Sequence, residues 1–208
     1  MKVLAINGSP RPDGNTATAL RIALHELEHE GITTELVTIG QKAVRGCLAC
    51  YQCREQQNQR CTIDGDEVNM LIPKMIEVDG ILLGSPVYYS GINGTMKSFL
   101  DRAFFTAGAK MRHKVGAAVI AVRRSGGSVA FDQLNKYFLI SQMVVVGSNY
   151  WNIIHGLTPG EATQDAEGQQ IMRTLGKNVA WLLKLMTHGK TTIAAPLPED
   201  KIFTSFVR

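Results

Sequence analysis

The chain is short of several things, and each shortage removes a class of protein. Only 19% of its 208 residues are charged, as 22 Lys/Arg against 18 Asp/Glu. A net charge of +4 does not argue for nucleic acid on its own, and no nucleic-acid partner is expected. No apolar run approaches the roughly 20 residues that a membrane helix needs, so no membrane association is expected. Met1 and Lys2 lead straight into a strand pattern, which leaves no room for a signal segment. A cytoplasmic, reducing compartment is therefore expected, without disulfides. Repeats and low-complexity segments are absent. So are the triphosphate loop G-x-x-x-x-G-K-[ST] and the dinucleotide fingerprint G-x-G-x-x-G. The five histidines are scattered, and no Ser/His/Asp arrangement or carboxylate pair stands out. Cysteine is scarce too: four in all, each between positions 47 and 61.

What is present reads as an ordinary globular chain, 45% hydrophobic, of a length suited to one α/β domain over residues 1–208. Residues 2–6 read as a strand and 15–30 as a helix with Leu20, Leu24 and Leu27 on one face. That helix holds His25-Glu26-Leu27-Glu28-His29, a match to the zinc-protease pattern H-E-x-x-H. Both histidines lie off the leucine stripe, so a solvated face is expected there. Thr33 to Ile39 suits an outer strand. A long connection at about 40–65 carries every cysteine. Residues 66–76 read as a helix on Val68, Leu71 and Met75; 80–84 as a buried strand; 95–106 as a helix; 115–122 as a second buried strand. A helix at 129–141, a last strand at 143–146 and a loop with Tyr150 and Trp151 to about 165 follow. A helix at 167–188, on Ile171, Leu175, Val179, Leu182 and Met186, precedes a tail at about 189–208 that is expected to pack on a partner subunit.

Five strands alternating with helices imply a doubly wound parallel sheet in a three-layer α/β/α arrangement. Such sheets bind ligands beyond the carboxyl ends of their strands. Three loops rich in glycine and polar residues fall there. The first, Asn7-Gly8-Ser9-Pro10-Arg11-Pro12-Asp13-Gly14-Asn15-Thr16, feeds a helix N-terminus, where free N–H groups and the helix dipole favour an anion. Lacking the lysine of a triphosphate loop, it suits one monophosphate. The second, residues 85–94, carries Pro86, Val87, Tyr88 and Tyr89, a rigid turn with aromatic surface. The third, residues 123–128, holds Ser125, Gly126 and Gly127, where missing side chains let backbone N–H groups approach a ligand. A phosphate pocket beside a flat slot fits flavin mononucleotide (FMN), and chemistry carried by a cofactor fits the lack of catalytic side chains.

In four segments the sequence resembles the flavodoxin-like NAD(P)H-dependent FMN reductase superfamily: Gly8-Ser9-Pro10-Arg11 with Gly14-Asn15-Thr16; Gly84-Ser85-Pro86-Val87-Tyr88; Met96-Lys97-Ser98-Phe99-Leu100-Asp101-Arg102; and Arg124-Ser125-Gly126-Gly127. The resemblance covers nearly the whole chain. It implies a five-stranded sheet of order 2-1-3-4-5, non-covalent FMN, and a homodimer or homotetramer. It also implies that Ser9, Arg11, Gly14, Asn15, Thr16 and Ala17 hold the phosphate. Pro86, Val87, Tyr88, Tyr89, Ser90 and Asn93 would flank ring and ribityl chain, and Arg124, Ser125, Gly126 and Gly127 the ring edge. Lys97 and the pair Asp101-Arg102 read as structural. Arg123 or Arg124 would meet reduced flavin or a nicotinamide phosphate.

Cys47, Cys50, Cys53 and Cys61 give C-x2-C-x2-C-x7-C. The first three share the spacing of ferredoxin cluster ligands, and close pairs also suit zinc. The motif is similar to the compact cysteine motif of the iron–sulfur flavoproteins, a branch of the same superfamily. That similarity implies a [4Fe–4S] cluster exchanging electrons with FMN. The cluster is the first reading, ahead of four free thiols and of zinc. Arg45, Arg54 and Arg60 would offset its charge, a solvated surface being the equal alternative for them. The expected function is that of a flavin-dependent oxidoreductase, with NAD(P)H or a ferredoxin-type carrier as donor and a small-molecule acceptor. A metal-free NAD(P)H oxidoreductase and a non-enzymatic flavin sensor are the rivals.

Overall fold

The computed structural model describes residues 1–206. Its axis is β1 (Lys2–Asn7), flanked in parallel by β2 (Thr33–Thr38) and β3 (Gly80–Tyr88). Beyond β3, past the two-residue β4 (Gly91–Ile92) that folds back on it, lies β5 (Val115–Val122). The outer position is shared by β6 (Val144–Val145), on the start of β5, and β7 (Ile153–His155), on its end. The order β2-β1-β3-β5-β6 is the expected doubly wound order with its fifth strand divided.

The central strands read as continuous apolar runs because both of their faces are covered. Leu4, Ile6, Ile81, Leu83, Ala118 and Ile120 belong to one core; Val3, Ala5, Leu82, Ala117 and Val119, the alternate residues, belong to the other. The first core lies under α3 (Val68–Glu77), α4 (Gly94–Ala107) and α5 (Gly127–Ile140). The second lies under α1 (Asn15–His29) and α6 (Ala166–Gly189). A short helix, α2 (Gln52–Gln56), sits within the cysteine connection.

Four expectations are corrected. β3 does not stop at Gly84: Ser85 and Pro86 stay in register with Ile120 and Ala121, so the ladder continues to Tyr88. The expected second loop is therefore a hairpin. Tyr89 and Ser90 turn it, both left-handed (φ 49° and 60°), which suits the tight turns that match strand twist. The last strand does not end at 146, because Asn152 donates to Ala118 O (3.0 Å) and lends its carbonyl to Ile120 N (2.9 Å). These bonds bring residues 153–155 back onto β5 inside what reads as loop. The α6 stripe follows Ile171, Leu175, Val179 and then Leu183, with Leu182 and Met186 half-buried, since 3.6-residue periodicity drifts over so long a helix. Finally, α3 begins at Val68 and tolerates Pro73 in its interior.

His25 and His29 are exposed opposite the buried Leu20, Leu24 and Leu27, with ring centroids 4.3 Å apart. Beyond Gly189 a turn at 191–192 leads into a chain without regular structure, touched by Arg112, which donates to Pro196 O (2.8 Å). Among the described residues no helix is long and apolar enough to cross a membrane.

Candidate functional site

All the candidate loops leave the carboxyl edge of the sheet. The first turns from β1 into α1 at Gly14, whose missing side chain leaves the helix uncapped. The backbone N–H groups of Asn15, Thr16 and Ala17 therefore open α1 without a side-chain partner, at its positive end. The loop is held from behind. Ser9 N donates to Asn7 Oδ1 (3.0 Å), Arg11 N to Ser9 Oγ (3.1 Å), and Gly8 N to Gly84 O (2.8 Å). Gly40 lies directly beneath: a Cβ there would stand 2.2 Å from the backbone carbon and oxygen of Ser9.

A cavity of about 220 Å³ lies over this helix start. Ser9, Arg11, Gly14, Asn15 and Thr16 line it with Pro86, Val87, Tyr88 and Arg123, and Gly156 and Leu157 close the far side. Arg124, Ser125, Gly126 and Gly127 line a neighbouring cavity of about 490 Å³ instead, with Tyr150, Trp151 and His155. Consecutive residues at the end of β5 thus look into adjoining cavities. The hairpin tip joins them: a Cβ on Gly126 would meet Ser90 at 2.8 Å, so hairpin and third loop pack closely. Tyr89 is fully exposed at that tip.

Two expected ligands are engaged elsewhere. The Asn15 amide donates to Thr158 O (3.0 Å) and accepts from Ala162 N (3.2 Å), while the residue still lines the cavity. Asn93 is buried; it caps α4 by accepting from Met96 N (2.9 Å) and donates to Gly8 O. The turn at 156–161 is an unexpected wall. Glu161 accepts from Leu157 N (2.6 Å) and Thr158 Oγ1 (2.6 Å), and the Thr158 hydroxyl, then the backbone N–H groups of Leu157 and Thr158, hold its carboxyl below the usual range. Glycines 156 and 160 following Ile153-Ile154 are the sequence signal for it.

The cysteine connection leaves β2 on the same edge. Cys47, Cys50, Cys53 and Cys61 line one recess, closed by Arg102 and Phe105 of α4. Between the cysteines the backbone alternates: Ala49 (φ 50°) and Tyr51 (φ 60°) are left-handed, while Leu48, Cys50 and Gln52 are not. Alternation of this kind turns successive N–H groups toward one side, making a nest for an anion. Ala49 N donates to Cys47 Sγ (3.4 Å). The Thr62 hydroxyl and then the Gln52 N–H pull the Cys50 thiol below its ordinary range. Among the described residues no three His, Cys, Asp or Glu side chains converge on a point that would hold one metal ion.

The three arginines expected to offset a cluster's charge, Arg45, Arg54 and Arg60, have their partners elsewhere. Arg60 pairs with Asp64 (2.9 Å), Arg54 lies over the Phe105 ring (4.7 Å), and Arg45 offers its carbonyl. The guanidinium at the sulfurs is Arg102, 1% exposed. Its Nε donates to Cys61 Sγ (3.2 Å), its other nitrogens to Arg45 O (3.1 Å), Ile63 O (2.6 Å) and the Asp66 carboxylate. Burial works against its charge, but Asp66 and Cys61 outweigh burial and hold its pKa above the ordinary value. Asp101, read as its companion, points away to Lys97 (2.6 Å) and the Tyr137 hydroxyl (2.5 Å). The signal for Arg102 was its position three residues after Phe99 on the apolar stripe of α4. That helix spans both places, with Asn93 at the first loop and Arg102 at the cysteines.

A flavodoxin-like sheet with an uncapped helix start at its switch point is the architecture of proteins that bind nucleotide-type cofactors. The model of the NADPH-dependent FMN reductase family matches residues 1–158. An iron–sulfur flavoprotein of Methanocaldococcus jannaschii is 40% identical over 194 residues, covering 89% of this chain and 99% of that protein. An iron–sulfur flavoprotein of Methanosarcina thermophila is 31% identical over 194 residues, covering 91% and 99%. Among solved structures, RosB with a bound formylated riboflavin phosphate superposes with a TM-score of 0.71 at 14% identity, covering 100% of this chain and 94% of that one. An archaeal flavodoxin gives 0.60 at 16% identity, covering 88% and 99%; these two speak to the fold alone. The chain belongs to the NADPH-dependent FMN reductase family, in its iron–sulfur flavoprotein branch. It is an FMN-binding redox protein, a flavin-dependent oxidoreductase.

Proposed function

We propose that this oxidoreductase passes electrons between a [4Fe–4S] cluster held by Cys47, Cys50, Cys53 and Cys61 and FMN at the carboxyl edge of the sheet. The observation that carries the cluster is the alternating backbone at Ala49 and Tyr51. Alternation of this kind suits an anion, and all four cysteines line the one recess beside it. Zinc needs four ligands on a single centre; a cluster takes each thiolate on a different iron.

The FMN phosphate is assigned to the N–H groups of Asn15, Thr16 and Ala17, with Ser9 Oγ, Gly14 and Arg11 around it. Pro86, Val87 and Tyr88 border the ribityl side, and Tyr89 and Ser90 extend that wall at the hairpin tip. Asn93 acts from behind by fixing Gly8 O. Arg124, Ser125, Gly126 and Gly127 take the ring edge. FMN held there would supply two-electron chemistry toward a hydride donor, and a cluster on the cysteines would supply one-electron chemistry. The protein's part is to bind, orient and charge-balance. Arg11 and Arg123 face the first cavity and lower the cost of holding a phosphate, while Arg124 borders the second. The donor is NAD(P)H or a ferredoxin-type carrier, and the acceptor a small molecule.

Anaerobic purification with iron, sulfide and zinc analysis tests the cluster. About four irons per chain are expected; less than one leaves the metal-free NAD(P)H-dependent reductase. A phosphate site at 9–17 also requires FMN to bind at least tenfold more tightly than riboflavin, since one charge-assisted hydrogen bond contributes about 1.5–3 kcal/mol. Equal affinity for the two would remove the assignment. The tail, with Ile193, Leu197, Ile202, Phe203 and Phe206 all exposed, supports assembly into a homodimer or homotetramer.

A further inference from the structure

We propose that Arg102 is a positioning residue that sets the reduction potential of the group held by the cysteines; this rests on the cluster reading above. Three observations converge on it. Its guanidinium is buried beside the recess yet comes from α4, outside the cysteine connection. Its Nε donates to the sulfur of Cys61 at 3.2 Å. Its remaining nitrogens clasp both ends of the connection, Arg45 O before the first cysteine and Ile63 O and Asp66 after the last. One planar fork therefore fixes where Cys61 stands and places a donor on its sulfur. Lysine, a point charge on a flexible stem, cannot reproduce that fork.

The direction of the effect follows from charge. Adding an electron to a thiolate-ligated group raises the negative charge on its sulfurs. A donor aimed at a sulfur stabilises the reduced form more than the oxidised one, which raises the potential. Asp66 neutralises the guanidinium at longer range but accepts from a different nitrogen, so the sulfur keeps its own hydrogen bond.

The test uses the full chain, reconstituted anaerobically and titrated potentiometrically, with the cluster followed by EPR and the flavin by absorbance. Arg102→Lys is expected to keep its iron and to show a reduced-to-oxidised ratio about tenfold lower at a fixed potential, a shift of about 59 mV for one electron. The flavin potential is expected to stay where it is. Because a single change risks the fold, the pair Arg102→Met with Asp66→Asn removes both buried charges together; its cluster potential is expected to fall as well. Loaded variants at the parent's potential overturn the proposal and leave Arg102 a scaffold. So do variants that lose their iron while the parent keeps it. A parent without iron overturns the cluster reading itself, and this inference with it, so the two failures are told apart by the parent's metal content.

Discussion

At the scale of single residues, the consequential contacts are made by groups that carry no redox chemistry. Gly40 is one. A methyl group there would press on the backbone of Ser9, which has no flexible end to yield. Gly40→Ala is expected to cost about 1–3 kcal/mol, lowering Tm by roughly 2–4 °C per kcal/mol in a chain of this size. It is also expected to weaken FMN by about tenfold through the displaced loop, 1.4 kcal/mol. Differential scanning calorimetry and flavin-fluorescence titration read the two; an unchanged flavin affinity would separate Gly40 from the site. Asn15 and Asn93 give the complementary lesson. Residue type and position marked both as belonging to the site, but not that their amides bond to Thr158 and Gly8. The partners of the Asn15 side chain lie 143 and 147 positions away, beyond the reach of any local pattern.

At the scale of elements, strongly periodic segments were legible and divided ones were not. The stripe of α1 and the apolar runs of β1 and β5 match the structure because each is buried along its whole length. The extension of β3 through Pro86 and the split outer strand depend on pairing with β5, which no local pattern encodes. The hairpin turn carries two left-handed residues, neither of them glycine, each strained by about 1–2 kcal/mol. Ser90→Gly is expected to stabilise the protein by about 0.5–1 kcal/mol, read as a higher urea midpoint with unchanged slope. A lower midpoint would mean that the Ser90 side chain against Gly126 matters more than the strain. The 156–161 turn responds to acid. The Glu161 carboxyl titrates lower folded than unfolded, so its support is complete above the ordinary value of 4.5 and lost as pH falls through the lower folded value. Glu161→Gln is expected to lower Tm relative to the parent above pH 5 and to converge with it toward pH 3. Parallel Tm curves across that range would count against it.

At the scale of the whole molecule, the order of the sheet and the edge where ligands gather follow from alternating elements and the right-handed crossover. The cysteine recess does not: sequence spacing grouped the four thiols, but only the folded chain brings Arg102 to them. The tail is the other large-scale feature. Deleting residues 190–208 is expected to reduce the mass measured by light scattering toward that of one chain, 22.8 kDa before truncation, with FMN still bound. An assembly of unchanged size would assign the contacts to the helices instead.

Helix α4 has one more consequence. It touches the phosphate loop through Asn93 at its cap and the cysteine connection through Arg102, roughly 14 Å further along the helix. Where each of two ligands biases one shared rod they are thermodynamically linked, and linkage is reciprocal. If removing iron loosens FMN by some factor, removing FMN must loosen iron by the same factor. The rod then serves as an assembly check. A half-loaded chain would let go of what it holds more readily than a complete one, and the two cofactors would be gained and lost together.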